Sequence, residues 1–140
     1  MLLFYSSFQD TVANNFMRIF REFLDLPSDF RGAVYAIGNF DGLHCGHRAV
    51  IEEARKIAVK AGKPLGILTF DPHPREFFNP GEPSFRLTPV SRKLSILDSW
   101  AVDFVVDVKF NEELAATTAE NFVSTHLNED LNAFAKECVD

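Results

Sequence analysis

The chain has 140 residues, enough for one modest domain with a sizeable core. Apolar residues make up 46% of it and 15 are phenylalanine, which argues for a globular fold rather than disorder. The formal charge of −6 disfavours nonspecific nucleic-acid binding through a broad basic surface, and no apolar run approaches the length of a membrane span. The cysteines, Cys45 and Cys138, make no disulfide framework, so a reduced, cytoplasmic setting is expected, with neither nucleic acid nor membrane as partner. Met1-Leu2-Leu3-Phe4-Tyr5 is apolar but lacks the basic and hydrophobic regions of a signal peptide.

After Pro27-Ser28-Asp29, the apolar run Ala33–Ile37 reads as a buried first strand. A glycine-containing turn follows, Gly38-Asn39-Phe40-Asp41-Gly42-Leu43-His44-Cys45-Gly46-His47, and then a helix over about His47–Ala61. Its predicted apolar face is Val50, Ala54, Ile57 and Ala61, with Glu52, Glu53, Arg55, Lys56 and Lys60 on the polar side. Gly62 suits the position after the helix, and Pro64 prevents continuation. Leu65–Phe70 reads as a second strand, so strand, helix and strand form a βαβ unit with a parallel sheet. Ligands of such sheets bind beyond the carboxyl ends of the strands, which is where Gly38–His47 and Phe70–His73 would both lie.

Asp71–Pro83, rich in proline and glycine, reads as a loop carrying Phe77 and Phe78, with Phe85 just beyond it. Two readings of these rings stand side by side: a grip on a flat aromatic ligand, or anchors of the loop to the core. Thr88-Pro89 predicts a helix start. Leu94, Leu97 and Ala101 form that helix's face, widened by Ile96 and Trp100, and Phe104–Val108 is a third strand. Thr117-Thr118-Ala119-Glu120 has a capping-box pattern before a helix whose face is Phe122, Val123, His126 and Leu127. His126 reads as a half-buried surface residue.

The turn carries the chemistry. Backbone N–H groups in a helix's first turn lack intrahelical partners and the helix dipole adds positive potential, which together suit phosphate. His44 and His47 are three apart and share one face of that turn, where two imidazoles can bond one triphosphate. Asp41 suits the turn's own backbone better than a magnesium ion. A zinc site from His44, Cys45, His47 and His73 is disfavoured, because the adjacent His44 and Cys45 point apart and no Cys-x-x-Cys pair exists. Cys45 reads as a small buried apolar residue. Two prolines flank His73 and fix its backbone.

The His-x-Gly-His spacing after a strand resembles the adenylyl- and cytidylyl-transferase superfamily. Together with Thr69-Phe70-Asp71-Pro72-His73-Pro74-Arg75-Glu76-Phe77-Phe78 and Arg86-Leu87-Thr88-Pro89, in that order, it resembles the N-terminal FMN adenylyltransferase domain of bacterial bifunctional riboflavin kinase/FAD synthetases. The resemblance runs from about Met17 to about Asn132. It implies an α/β, Rossmann-like nucleotidyltransferase fold and transfer of AMP from ATP to FMN, giving FAD and pyrophosphate. It further implies His44 and His47 as catalytic residues, with Gly38, Asn39, Phe40, Asp41, Gly42 and Gly46 shaping the ATP site. Phe70, Asp71, His73, Pro74, Phe78, Arg86, Leu87 and Thr88 would hold the flavin. Magnesium would come with ATP, and no protein metal ligand is assigned.

Met17-Arg18-Ile19-Phe20-Arg21-Glu22-Phe23 resembles the usual beginning of that family, followed by a helix-like segment to Leu26. Residues 1–16 are accordingly expected to be an extension, and 17–140 a partial adenylyltransferase domain without the kinase domain. Two departures are visible. Cys45 stands where the family usually has an aliphatic residue. The ending Phe134-Ala135-Lys136-Glu137-Cys138-Val139-Asp140 does not match the strand block that should follow Leu131, and a later Ser/Thr-Arg phosphate motif is not found. The sheet is therefore expected to be incomplete, with an exposed edge that invites self-association. The adenylyltransferase is accordingly expected to be active only where another chain supplies the missing half; the alternatives are a nucleotide-binding remnant without catalysis and another transferase with the His-x-Gly-His motif.

Overall fold

Strands buried on both faces need apolar residues at consecutive positions, and the three apolar runs of this chain supply them at the centre of one parallel sheet. The computed structural model describes residues 17–43, 45–71, 74–81 and 89–138, with Val90 described by its backbone alone. In chain order, the strands are β1 (Arg18–Phe20), β2 (Val34–Ile37), β3 (Leu65–Asp71), β4 (Phe104–Lys109) and β5 (Ala135–Cys138). The helices are α1 (Cys45–Ala61), α2 (Pro74–Phe78), α3 (Val90–Ser99), α4 (Glu112–Ala115) and α5 (Ala119–Asn121), the last widening into a π-helical stretch over Phe122–Asp130. The sheet order is β1-β4-β3-β2-β5, and every pairing is parallel.

Alternation along the strands divides the core between the two faces. Val34, Ala36, Leu65, Ile67 and Val105 pack with Ile51, Ala54, Ala58 and Leu97 of α1 and α3. Tyr35, Leu68, Phe104, Val106 and Val108 face the other way, onto Phe20, Phe23, Leu26, Leu127 and Leu131. On that second face Phe104 is the hub: its ring meets Phe30 at 4.7 Å, Tyr35 at 5.7 Å and Phe20 at 6.1 Å.

Several expectations need correcting. β1, to which the sequence reading assigned no element, is a strand paired with β4, because Arg18, Ile19 and Phe20 find a register with Phe104–Val106; the short helix-like segment expected after it is present as a 3-10 turn over Phe23–Asp25. Ala135–Cys138, which has no strand signature of its own, is a strand because β2 offers it a backbone edge, Val34 opposite Ala135 through Ile37 opposite Cys138. α1 begins at Cys45, and its buried stripe is His47, Ile51, Ala54 and Ala58, a rotation from the predicted one. Cys45 is exposed, not buried, since the first turn of α1 points its side to solvent. The predicted loop Asp71–Pro83 contains α2, opened by Pro74, whose missing N–H is no loss at a first helical position.

Ala101 is not on the face of α3. It is exposed beyond the helix end with φ 58°, in the left-handed conformation that closes helices. The cap of α5 is Thr118, whose hydroxyl accepts from the Asn121 N–H at 3.1 Å, one residue later than the capping-box reading, while Thr117 bonds back to Glu113 O. Thr88, the predicted cap of α3, lies outside the described residues. Past Phe122 the helix widens, Leu131 N–H reaching His126 O five residues back, and this turns Val123 outward to 37% exposure.

Candidate functional site

The chain runs from β2 outward through β3 to β4, then returns to the far side of β2 at β5. This reversal is the switch point at which open parallel sheets form a crevice at their carboxyl ends. The Gly38–Leu43 turn leaves β2 there. Gly38 N–H extends the sheet ladder to Leu68 O at 3.0 Å. The turn then kinks: Phe40 adopts φ 53° and Gly42 φ 63°. A positive φ is natural for Gly42 and disfavoured for Phe40, whose ring is nonetheless fully buried.

Two polar side chains hold the kink. Thr69, near the end of β3, donates its hydroxyl to Asn39 O at 3.2 Å. Lys93 of α3 donates its ammonium to the same carbonyl at 3.2 Å and to Thr69 Oγ1 at 3.1 Å. Lys93 and Thr69 are both buried. On the other side of the kink, the ring of Phe40 packs against the ring of His47 at 5.5 Å. His47 is therefore enclosed, 2% exposed, between the turn and α1. Asp41, Gly42 and Leu43 are half-buried, and Gly46 is exposed at the start of α1. His44 lies outside the described residues.

The second predicted group lies one strand away on the same edge. Phe70 and Asp71 end β3, and Asp71 O accepts from Phe110 N–H at 3.1 Å, which ties the exit of β4 to it. Pro74 opens α2 and Phe78 closes it, 63% exposed. The rings of Phe77, Phe78 and Phe110 meet edge to face at 5.2–6.0 Å, and Phe70 joins them through Phe110 at 6.2 Å. Phe77 is held in this cluster, while Phe78 keeps much of its ring in solvent. His73, Arg86, Leu87 and Thr88 lie outside the described residues. The structure thus brings Gly38–Leu43 and Cys45–His47 to the same sheet edge as Phe70, Asp71, Pro74 and Phe78.

A cavity of about 380 Å³ opens at the other end of that edge, beyond β1 and β4, between Arg21, Phe23, Lys109, Leu114 and His126. No described residue of the two motifs lines it. Its walls are already committed: Arg21 bonds the buried Asp107 carboxylate, and His126 pairs with Asp130 at 2.8 Å while stacking on Phe23 at 4.1 Å. His126 is half-buried, as its helical position suggests.

Sequence reasoning missed Lys93 and Thr69. The signal for Lys93 was a charge four residues before the buried Leu97, on the inward face of α3. Thr69 was the one hydroxyl within the apolar run of β3.

A parallel sheet covered on both faces, with a glycine turn and helix start at its switch point, defines an α/β, Rossmann-like fold. The fold is shared with a solved structure titled as a macrolide-efflux protein from Streptococcus pneumoniae, with a TM-score of 0.71 and 23% identity over 88% of this chain and 40% of that one. Residues 26–136 match the family model of FAD synthetase. The chain is 41% identical over 66% of its length to the bifunctional riboflavin kinase/FMN adenylyltransferase of Escherichia coli K12, covering 30% of that protein. It is 37% identical to the protein of the same name from Pseudomonas fluorescens and 33% identical to that from Buchnera aphidicola, over 82% and 83% of this chain and 37% of each of theirs. The chain belongs to the FAD synthetase family, and it spans about a third of the length of these curated relatives.

Proposed function

We propose that the chain is an FMN adenylyltransferase domain that takes MgATP and FMN and forms FAD and pyrophosphate. The observation that carries this reading is that the described parts of the two family motifs leave the neighbouring strands β2 and β3 at one carboxyl edge, beside the switch point between β2 and β5. In the reaction a phosphate oxygen of FMN attacks the α-phosphorus of ATP. The bond from that phosphorus to the bridging oxygen breaks, and pyrophosphate leaves. Little covalent help is needed; positioning and charge stabilisation suffice.

The N–H groups at the start of α1, with His44 and His47, would receive the phosphates, the turn from Gly38 to Gly46 shaping the site. Phe70, Asp71, His73, Pro74 and Phe78, with Arg86, Leu87 and Thr88, would hold the flavin; the exposed ring of Phe78 is suited to stacking on an isoalloxazine. Magnesium enters as part of MgATP. Among the described residues no cluster of three His, Cys, Asp or Glu side chains would hold it independently.

A cytoplasmic location is proposed on the free, exposed thiols of Cys45 and Cys138, and no described helix is long and apolar enough to cross a membrane. Self-association through an outer strand of the sheet is proposed as well. Calorimetric titration of MgATP and FMN, with an FAD-formation assay alongside, tests the function. Binding of both with FAD formation is expected. Nucleotide binding without FAD would restrict the chain to a binding role, and no binding of either ligand would overturn the reading.

A further inference from the structure

We propose that Lys93 is a positioning residue: by holding the Asn39 carbonyl it fixes the Phe40 kink against which His47 packs, and so sets His47 for the nucleotide. The consequence for nucleotide binding rests on the function proposed above; the consequence for the geometry does not.

A lysine is among the residues least often buried, because its ammonium loses strong hydration. Lys93 is 4% exposed, and its ammonium donates to the Asn39 carbonyl and to the Thr69 hydroxyl. A methionine or leucine would fill the same space in α3 without that desolvation, so packing alone does not account for a charge there. The place where the charge ends is informative. Asn39 O sits one peptide before the positive φ of Phe40, the only described residue of the turn with a Cβ in that conformation. Thr69 reaches the same oxygen from β3, so α3 and β3 grip one peptide from two directions. Rotating that peptide would swing Phe40, and the ring of His47, 5.5 Å from it and buried, would move with it. Strain held in place by its surroundings is the mark of a preorganised site. Through Asn39 O, Lys93 acts on the backbone of the turn.

Lys93→Met and Thr69→Val, singly and together, test this by NMR. Amide exchange across residues 39–43 is expected to accelerate tenfold or more in either single variant. The ring-proton resonances of His47 should shift with the Phe40 ring current, and exchange within β3 and β4 should stay as before. Unchanged His47 resonances and turn exchange in a folded variant would overturn the proposal. So would acceleration spread evenly over every amide, which is what a merely structural lysine would give. If Lys93→Met does not fold, Thr69→Val removes a bond to the same carbonyl and decides the matter by the same readouts. MgATP affinity should fall tenfold or more in each single variant and no further in the double, because both act on one peptide; additive losses would count against the shared mechanism. If the unaltered chain binds no MgATP, the nucleotide reading fails, and the NMR readouts still judge Lys93.

Discussion

Two buried side chains with polar atoms, Tyr35 and His47, carry consequences at the scale of single residues. Tyr35 is fully buried in β2, and its hydroxyl has no hydrogen-bond partner among the described residues. Burial pushes its ionisation well above the ordinary phenol value of 10.0, a shift that the Arg31 guanidinium partly offsets. The sign follows from linkage. Below about pH 10 the phenol is protonated folded and unfolded alike, and it adds no pH dependence. Above that, the unfolded chain releases the proton and the folded chain retains it, so stability falls as pH rises. Tyr35→Phe should remove this alkaline loss and leave stability at pH 7 unchanged or raised by up to about 1 kcal/mol. Denaturant titrations at pH 7 and pH 11 check both statements. For His47, replacement by Ala should weaken MgATP binding about tenfold or more, the effect of losing one charge-assisted hydrogen bond. Calorimetry measures it, and unchanged affinity in a folded variant would remove His47 from the phosphate site.

At the scale of elements, close approach between strands decides what is tolerated. Gly66 on β3 stands opposite Phe104 on β4, and a Cβ at Gly66 would come within 2.5 Å of the Phe104 ring. That ring is wedged among Phe20, Phe30 and Tyr35 and has nowhere to turn. Gly66→Ala should destabilise the fold by about 1–3 kcal/mol, read as a lower denaturation midpoint. Ala101, exposed at φ 58° after α3, gives the opposite case. Ala101→Gly should stabilise by about 0.5–1 kcal/mol, seen as a higher melting temperature, because glycine adopts that conformation without a Cβ clash.

The elements also show what the sequence could and could not reveal. β2, α1, β3 and β4 were legible because apolar runs and helical spacing declare their own burial. β5 was not: Ala135-Lys136-Glu137-Cys138 carries little apolar or β-branched character and is a strand through its pairing with β2. The turn of the site was legible from its glycines and histidines. Its support was not, since a lysine within a helix reads as a surface residue until the partner carbonyl, far away in sequence, is seen. The stripe of α1 was misplaced by rotation because Val50 and Ile57 flank the true one and pack partly against the same core.

For the whole molecule, the sheet ends matter. Among the described residues β1 and β5 are the outer strands, and neither is covered by a further strand. Phe134, 56% exposed, sits beside β5. An uncovered strand with a neighbouring exposed ring favours pairing with another copy. The average mass in sedimentation or light scattering should therefore rise with protein concentration, and a constant monomer mass would exclude this association. The strand order has a further consequence for how the protein comes into being on the ribosome. The central β2-β3-β4 pairings join segments made in succession, whereas Val34 must wait for Ala135 and Arg18 for Phe104. Long-range closures of this kind come late and slowly. The strand that carries the glycine turn thus gains its second neighbour after nearly all the described chain has been made. Until then the nascent polypeptide holds β2 with one side open, which gives chaperones and competing strands their period of access.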